Sequence, residues 1–366
     1  MNAVSTSPSG PTGEPRVESG AGARELSVVI PTCGRAEVLR ATLVALLRQR
    51  GELREAEVLV VVDGEDPASV AVVRELAADV PCPVVAVTQP RSGQAVARNE
   101  GIRRATGRVV LMLDDDIVAE PALLGEHLRH HAGRDDTVVT GALPMPTLAD
   151  EPAHYGLVRR WWDRTIAEMA SPAHVPTFRD FVTGNVSVPR ARLLEAGLFD
   201  PAFTGYGRED YELGYRLLRA GLRFVHAPAA VGVHHYTKGA LDWLRQARSQ
   251  GRADVLFARK HPELLAEIMT LSPYPLIPYR PRAVALGERL ALRLNRRGGP
   301  VWKKVVSTVQ AAYYWRGVRE TVRDADELER VVRALLRGRT GVERLSLRGR
   351  FKVARARATW RPTAWV

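Results

Sequence analysis

From Glu25 onward, short β-rich runs alternate with segments of helical apolar spacing. LSVVI (26–30) precedes the helical VLRATLVALLRQR (38–50), and EVLVVVD (57–63) precedes PASVAVVRELAADV (67–80). VVAVTQ (84–89) and RVVLMLD (108–114) supply two more strands, separated by the helical QAVARNEGIRRATG (94–107). The alternation predicts an α/β protein whose parallel sheet is covered by helices on both faces. In such open sheets ligands collect beyond the carboxyl ends of the strands. Three of those ends are polar: Pro31-Thr32-Cys33-Gly34-Arg35, Asp63, and Asp114-Asp115-Asp116. They are expected to converge on one crevice. A dinucleotide-binding turn would need G-x-G-x-x-G after the first strand, and PTCGR has one glycine, so a Rossmann dehydrogenase is excluded.

Beyond residue 120 the alternation weakens. VVTGAL (138–143) and FVTGNVSVP (181–189) read as strands, the second with a glycine break, and between them lies a Pro-rich, aromatic stretch to about 180 containing Trp161 and Trp162. ARLLEAGLFDP and YELGYRLLRAGLRFVHAP read as helix, turn, helix and strand, with Gly221 as a helix C-cap, and AVGVHH (230–235) as a closing strand. From about 240 the helical period dominates: Trp302, Val305, Val309 and Tyr313 share one face, and Leu328, Val331, Val332 and Leu335 share another. The expected division is a disordered segment over 1–24, an α/β domain over 25–240 and a helical, basic extension over 241–366.

Composition adds limits to this picture. With 45% apolar and 26% charged residues the chain reads as globular. No segment reaches the roughly 18–20 uncharged apolar residues that a membrane span needs. Two cysteines, Cys33 and Cys82, are too few for a disulfide framework or a thiolate zinc site and fit a reducing compartment. The net charge of +12 is uneven: residues 280–366 hold 22 Lys and Arg against 7 Asp and Glu. That basic tail fits a solvated helical face, an anionic membrane surface or, last in order because no nucleic-acid motif accompanies it, a nucleic acid.

The candidate chemistry begins with the aspartates. In an extended strand Asp114 and Asp116 point to one side and Asp115 to the other, an alternation that a tight turn would alter. Two carboxylates on one side call for a cation, and a hard divalent ion would complete its shell with water and phosphate oxygens. The competing reading is a solvated turn with an Asp helix cap. Asp63, in VVVDGEDP, is either an acceptor for a nucleobase N–H or part of an Asp-Gly turn. Arg98, in GQAVARNEG, is either a bidentate phosphate ligand or a surface charge. Glu209 and Asp210 follow the loop Gly205-Tyr206-Gly207 and open a helix, where acids favour the macrodipole and where one of them can also serve as a general base. His234 and His235 are adjacent, so only one faces a given site, where it can add a ligand to a metal.

Taken in order, LSVVIPTCGRAEVLRATLVALL, VLVVVDGED, GQAVARNEGIRRATGRVVLMLDDD and VTGNVSVPRARLLEAGLFDPAFTGYGREDYELGYRLLRAGLRFVHAPAAVGVHH resemble glycosyltransferase family 2, over about residues 26–236. The resemblance implies a GT-A-type, Rossmann-like, mostly parallel sheet. It implies that Asp63 contacts the base, with Pro31, Thr32 and Arg35 on the adjoining loop and Arg98 bordering the same site. Asp114 and Asp116 then stand for the family's Asp-x-Asp element, holding Mn²⁺ or Mg²⁺ on the sugar-nucleotide diphosphate, with Asp115 towards the ribose. Gly184 and Asn185 line the sugar pocket, Asp210 is the base with Glu209 positioning the acceptor, and His234, with His235 second, lies near the metal. Val-Asp-Gly-Glu-Asp replaces the frequent Val-Asp-Asp-Gly-Ser, which leaves a second base or ribose contact without a matching residue.

The function so implied is inverting, metal-dependent transfer of a sugar from a nucleotide-diphosphate sugar, first a UDP-sugar, to a hydroxyl of a glycan, lipid-linked or small-molecule acceptor. A nucleotidyltransferase and a non-catalytic sugar-nucleotide or lipid-binding module are the alternatives. The expected place is the cytoplasm, at the inner face of the membrane through the basic tail.

Overall fold

The computed structural model describes residues 24–49, 52–78, 80–271, 274–340 and 347–358. The segment expected to be disordered therefore lies, apart from Arg24, outside the described residues. The continuous apolar runs become adjacent buried strands, as expected where helices cover both faces. β1 (Leu26–Thr32), β2 (Ala56–Asp63) and β4 (Val109–Leu113) pair in parallel, with β3 (Val84–Gln89), half exposed, at the edge. The helices α1 (Ala36–Leu46), α2 (Pro67–Leu76) and α3 (Gln94–Arg104) are the crossovers between them.

The sheet continues in the order β3-β2-β1-β4-β7-β6-β8-β5, and its second half is mixed. β7 (Asn185–Pro189) runs antiparallel to both β4 and β6 (Thr137–Ala142), β6 runs parallel to β8 (Arg223–His234), and the short β5 (Ile117–Ala119) pairs antiparallel with β8. Two differences from the sequence pattern follow. The separate strands read at the end of the α/β part are one strand, β8, whose pairing jumps from Gly141 opposite Ala227 to Ala142 opposite Val231. β4 stops at Leu113, so the aspartate triplet lies in a turn, with the Ile117 N–H donating to the Asp114 carbonyl at 3.3 Å.

The remaining helices of the α/β part are α4 (Leu123–His131), α5 (Ala153–Met169), α6 (Arg190–Glu195) and α7 (Glu209–Arg219). α5 occupies the stretch in which the apolar pattern marked no element; its sequence, AHYGLVRRWWDRTIAEM, buries only the short set His154, Tyr155, Gly156 and Met169. Then follow α8 (Ala240–Lys260), α9 (Leu265–Leu271), α10 (Pro281–Leu294), α11 (Gly299–Thr321), α12 (Ala325–Thr340) and α13 (Leu347–Ala358). α8 and α11 cross at backbone contact, because a Cβ on Gly251 would collide with the Tyr314 carbonyl and one on Gly317 with the Arg248 carbonyl. Their cluster, with Trp302, Tyr314, Trp315 and Phe257 fully buried, includes Tyr215 of α7. The helical extension is thereby packed onto the α/β part.

Candidate active site

The end of β4 delivers three carboxylates, and each has a cation against it. Arg35, in the loop after β1, donates to Asp115 at 2.7 Å and to Asp116 at 2.9 Å, and its guanidinium also reaches the Thr237 hydroxyl at 2.9 Å. Asp114 accepts instead from Arg98 of α3, at 2.8 Å. The turn thus replaces the alternation expected of a strand: Asp115 and Asp116 share one arginine and Asp114 faces another. Asp115 is buried and also accepts from the Thr32 hydroxyl at 2.7 Å, so it anchors the first loop rather than facing outward to a ribose. Burial pushes its carboxyl up to about 7, against the pull of Arg35 and Thr32. Burial pushes Asp116 up too, but His234 and Arg35 outweigh it and hold that carboxyl below its ordinary range.

His234 is the histidine that faces the acids, with Nε2 3.6 Å from Asp116. His235 is exposed and takes part through its backbone N–H, which donates to the Asp116 carbonyl at 2.8 Å; its side chain does not join the cluster. Trp162 of α5 packs edge-on to His234 at 5.8 Å, and Tyr236 does so at 5.7 Å. His234 Nδ1 is buried without a partner. Two carboxylates and an imidazole are a donor set that suits a hard divalent ion. Among the described residues, no three acidic, imidazole or thiol groups converge at coordinating distance, and Arg35 and Arg98 supply the countercharge.

Arg98 ties this end of the sheet to the start of α7. It is buried, 1% exposed, and its second nitrogen donates to Glu209 at 3.2 Å. Burial opposes its charge, but Asp114 and Glu209 prevail and strengthen it. As a buried bridge between two acids it is not a free phosphate ligand. Asp210, the next residue, is half-buried, accepts from the Tyr211 backbone N–H at 2.8 Å and forms no ion pair among the described residues. Burial, reinforced by Glu209, pushes its carboxyl up to about 7. A carboxyl so poised exchanges a proton near neutrality.

The loop that presents these acids is bent by two successive left-handed residues, Gly207 at φ 99° and Arg208 at φ 72°. A non-glycine residue there is strained and must be held by its surroundings. Arg208 donates to the fully buried Asp254 of α8 at 2.6 Å, and Tyr314 of α11 donates to the same carboxylate at 2.8 Å. The sequence pattern does not single out Arg208, Asp254 or Tyr314. A signal existed in ADVLF, where an acid interrupts the apolar face of a helix.

The other expected residues have their own partners. Asp63 accepts from Gln89 Nε2 at 2.8 Å and from the backbone N–H groups of Ser92 and Gly93 at 2.7 and 2.9 Å, so it closes the β3–α3 loop. Pro31 lies in β1 just before Thr32. Gly184 lies against Asp114, since a Cβ there would come 3.4 Å from its Oδ2. Asn185 is fully buried: its amide donates to the carbonyls of Ala142 and Ala230, and its oxygen lies 2.8 Å from His127 Nε2. It braces β7 against α4 and β8 and is closed off from the surface. Lys238, whose Nζ lies 4.1 Å from the Tyr206 ring centroid, completes the wall beside Arg35, and burial lowers its pKa.

Comparison with known proteins agrees with this arrangement. Residues 27–182 match the model of the family described as Glycosyl transferase family 2. The chain is similar to validoxylamine A glucosyltransferase of Streptomyces hygroscopicus subsp. jinggangensis (strain 5008), with 34% identity over 269 residues, 66% of this chain and 62% of that protein. It is also similar to the pre-mycofactocin glycosyltransferase of Mycobacterium tuberculosis (strain ATCC 25618 / H37Rv), with 26% identity over 70% of this chain and 52% of the other. The chain spans less than two thirds of the length of these relatives. Among solved structures, residues 1–349 of S. aureus TarS share the fold at 14% identity, covering 91% of this chain and 89% of that one with a TM-score of 0.52. The expected GT-A-type α/β architecture with a helical C-terminal extension is the one observed.

Proposed function

We propose that the chain, residues 27–182 of which match glycosyl transferase family 2, is a glycosyltransferase that moves a sugar from a nucleotide-diphosphate donor to an acceptor hydroxyl, in one displacement that inverts the anomeric carbon. The observation that carries the reading is Asp210. It is the one of the two acids opening α7 without a cation bound to it among the described residues, it is poised near neutrality, and it sits one residue from the Arg98 bridge to Asp114. Such a carboxylate takes the proton of an attacking hydroxyl. Glu209, held by Arg98, fixes the start of α7 and positions the acceptor beside it.

On the donor side, Asp63 with Pro31, Thr32 and Arg35 shapes the nucleotide pocket, and Arg35, partly exposed beside Thr237, meets the diphosphate. Asp114 and Asp116, with His234, would hold a divalent ion. When bound, that ion would stabilise the charge developing on the departing nucleoside diphosphate. The acceptor is a glycan, a lipid-linked sugar or a small molecule, and Trp161, 45% exposed on α5, offers it a stacking face.

A panel of nucleotide sugars, UDP-sugars first, tested with Mn²⁺ for thermal stabilisation and donor hydrolysis checks the proposal. Stabilisation by one donor with slow hydrolysis is expected; silence towards every donor would count against it.

A further inference from the structure

The cations of the C-terminal region differ in how they are paired. Arg316, Arg333 and Arg357 are paired with Glu320, Glu329 and Asp326. Over residues 280–304, by contrast, Arg280, Arg282, Arg289, Arg293, Arg296, Arg297, Lys303 and Lys304 are all exposed, and none forms an ion pair among the described residues. The single acid of that stretch, Glu288, points inward to Arg245 and Tyr313.

α10 buries Val284, Glu288 and Ala291. Its opposite face, at helical spacing, runs through Arg282, Leu286, Arg289, Leu290 and Arg293. Leu286 is 68% exposed and Leu290 39%, and past the turn, in the first turn of α11, Val301 is 65% exposed. Cations alone would suit any polyanion. Large aliphatic side chains set among them add nothing to phosphate contacts, whereas at a bilayer they enter the acyl boundary while the arginines stay at the head groups. No helix of the described residues is long and apolar enough to cross a membrane, so the contact is with its surface.

The hairpin turn is also joined to the crevice. Asn295 accepts from the N–H of Ala153 at 2.7 Å and from that of His154 at 3.0 Å, and His154 Nε2 lies 3.3 Å from the Lys238 carbonyl, in the loop that follows His234.

We infer that the outer face of α10, with the first turn of α11, is a docking surface for an anionic lipid bilayer. It seats the crevice at the membrane, where a lipid-borne acceptor is within reach. The surface does not depend on the identity of the donor, so vesicle binding and sugar transfer can fail independently.

The test is flotation of the full chain with phosphatidylcholine vesicles, with or without phosphatidylglycerol. The unaltered chain is expected to float only with the anionic vesicles. Leu286→Glu and Leu290→Glu each weaken binding about tenfold or more, because burying one leucine side chain is worth at least that factor in an equilibrium constant. Arg289→Glu with Arg293→Glu abolishes it. All four residues face solvent, so unchanged circular dichroism and an unchanged thermal midpoint report an intact fold. The inference is overturned by absence of flotation, by equal flotation of the leucine variants, or by tight binding of a DNA oligonucleotide that the leucine substitutions leave unchanged.

Discussion

The acids at the end of β4 and those at the start of α7 face one crevice, yet their supports differ. Asp115 and Asp116 are held by Thr32 and Arg35, with Thr42 of α1 donating to the Asp115 carbonyl at 2.8 Å. Those partners lie on the neighbouring strand, its loop and the helix that follows, so the parallel sheet itself brings them together. Glu209 and Asp210 depend on a strained loop whose Arg208 is pinned from α8 and α11, and on Arg98 from α3. The proposed donor side is thus built into the sheet, whereas the proposed catalytic side is built by helices distant in sequence. A defect in the C-terminal helices should therefore reach the proposed base before it reaches donor binding.

The largest effect that would sharpen this contrast is on rate. Asp210→Asn is expected to lower transfer by about 10²–10⁴-fold, the usual range for loss of a general base, while calorimetric donor affinity stays the same. Loss of donor binding as well would erase the distinction between the two sides. Asp254→Asn removes the fully buried carboxylate that Arg208 and Tyr314 share and is expected to cost about 3–5 kcal/mol in urea denaturation, with kcat falling more than donor affinity. If donor affinity falls first, the support has been assigned to the wrong side.

Gly317→Val forces a side chain into the α8–α11 crossing. Overpacking of this kind costs about 1–3 kcal/mol, read as a lowered thermal midpoint, again with kcat the more sensitive parameter. The smallest effect is on pH dependence. Asp210 titrates at about 7 in the folded chain against an ordinary 3.8, so between those values the folded state binds more protons than the unfolded one. Its contribution to stability therefore declines as pH rises through that window, and Asp210→Asn should flatten part of the slope. Activity moves the opposite way, rising with pH to about 7 as the base loses its proton.

Much of the polar cluster at the strand ends is legible in the sequence because it obeys two local rules: apolar runs make buried strands, and polar residues at their carboxyl ends share a crevice. The resemblance carried by the four sequence blocks then marked Asp210 and His234. Other residues were harder to read. Asn185 and Asp115 look like ligands in a motif, but their hydrogen-bonding groups are taken by Ala142, Ala230 and His127 in one case and by Thr32 and Arg35 in the other. α5 escaped the apolar pattern because most of its residues face outward or pack on aromatic side chains, so no apolar stripe identifies it.

By itself the sequence determined the alternation of strands and helices, the three polar strand ends and the excess of cations after residue 280, since each follows from side-chain chemistry within a short window. Only the tertiary structure decided which aspartate shares an arginine with which, which histidine faces them, that Asp254 and Tyr314 hold the loop before α7, and that Arg282, Arg289 and Arg293 share the outer face of α10 with Leu286 and Leu290. These are matters of partnership. A buried charge keeps its ionisation or its geometry only through groups brought beside it by packing, and separation along the chain does not say which groups those will be.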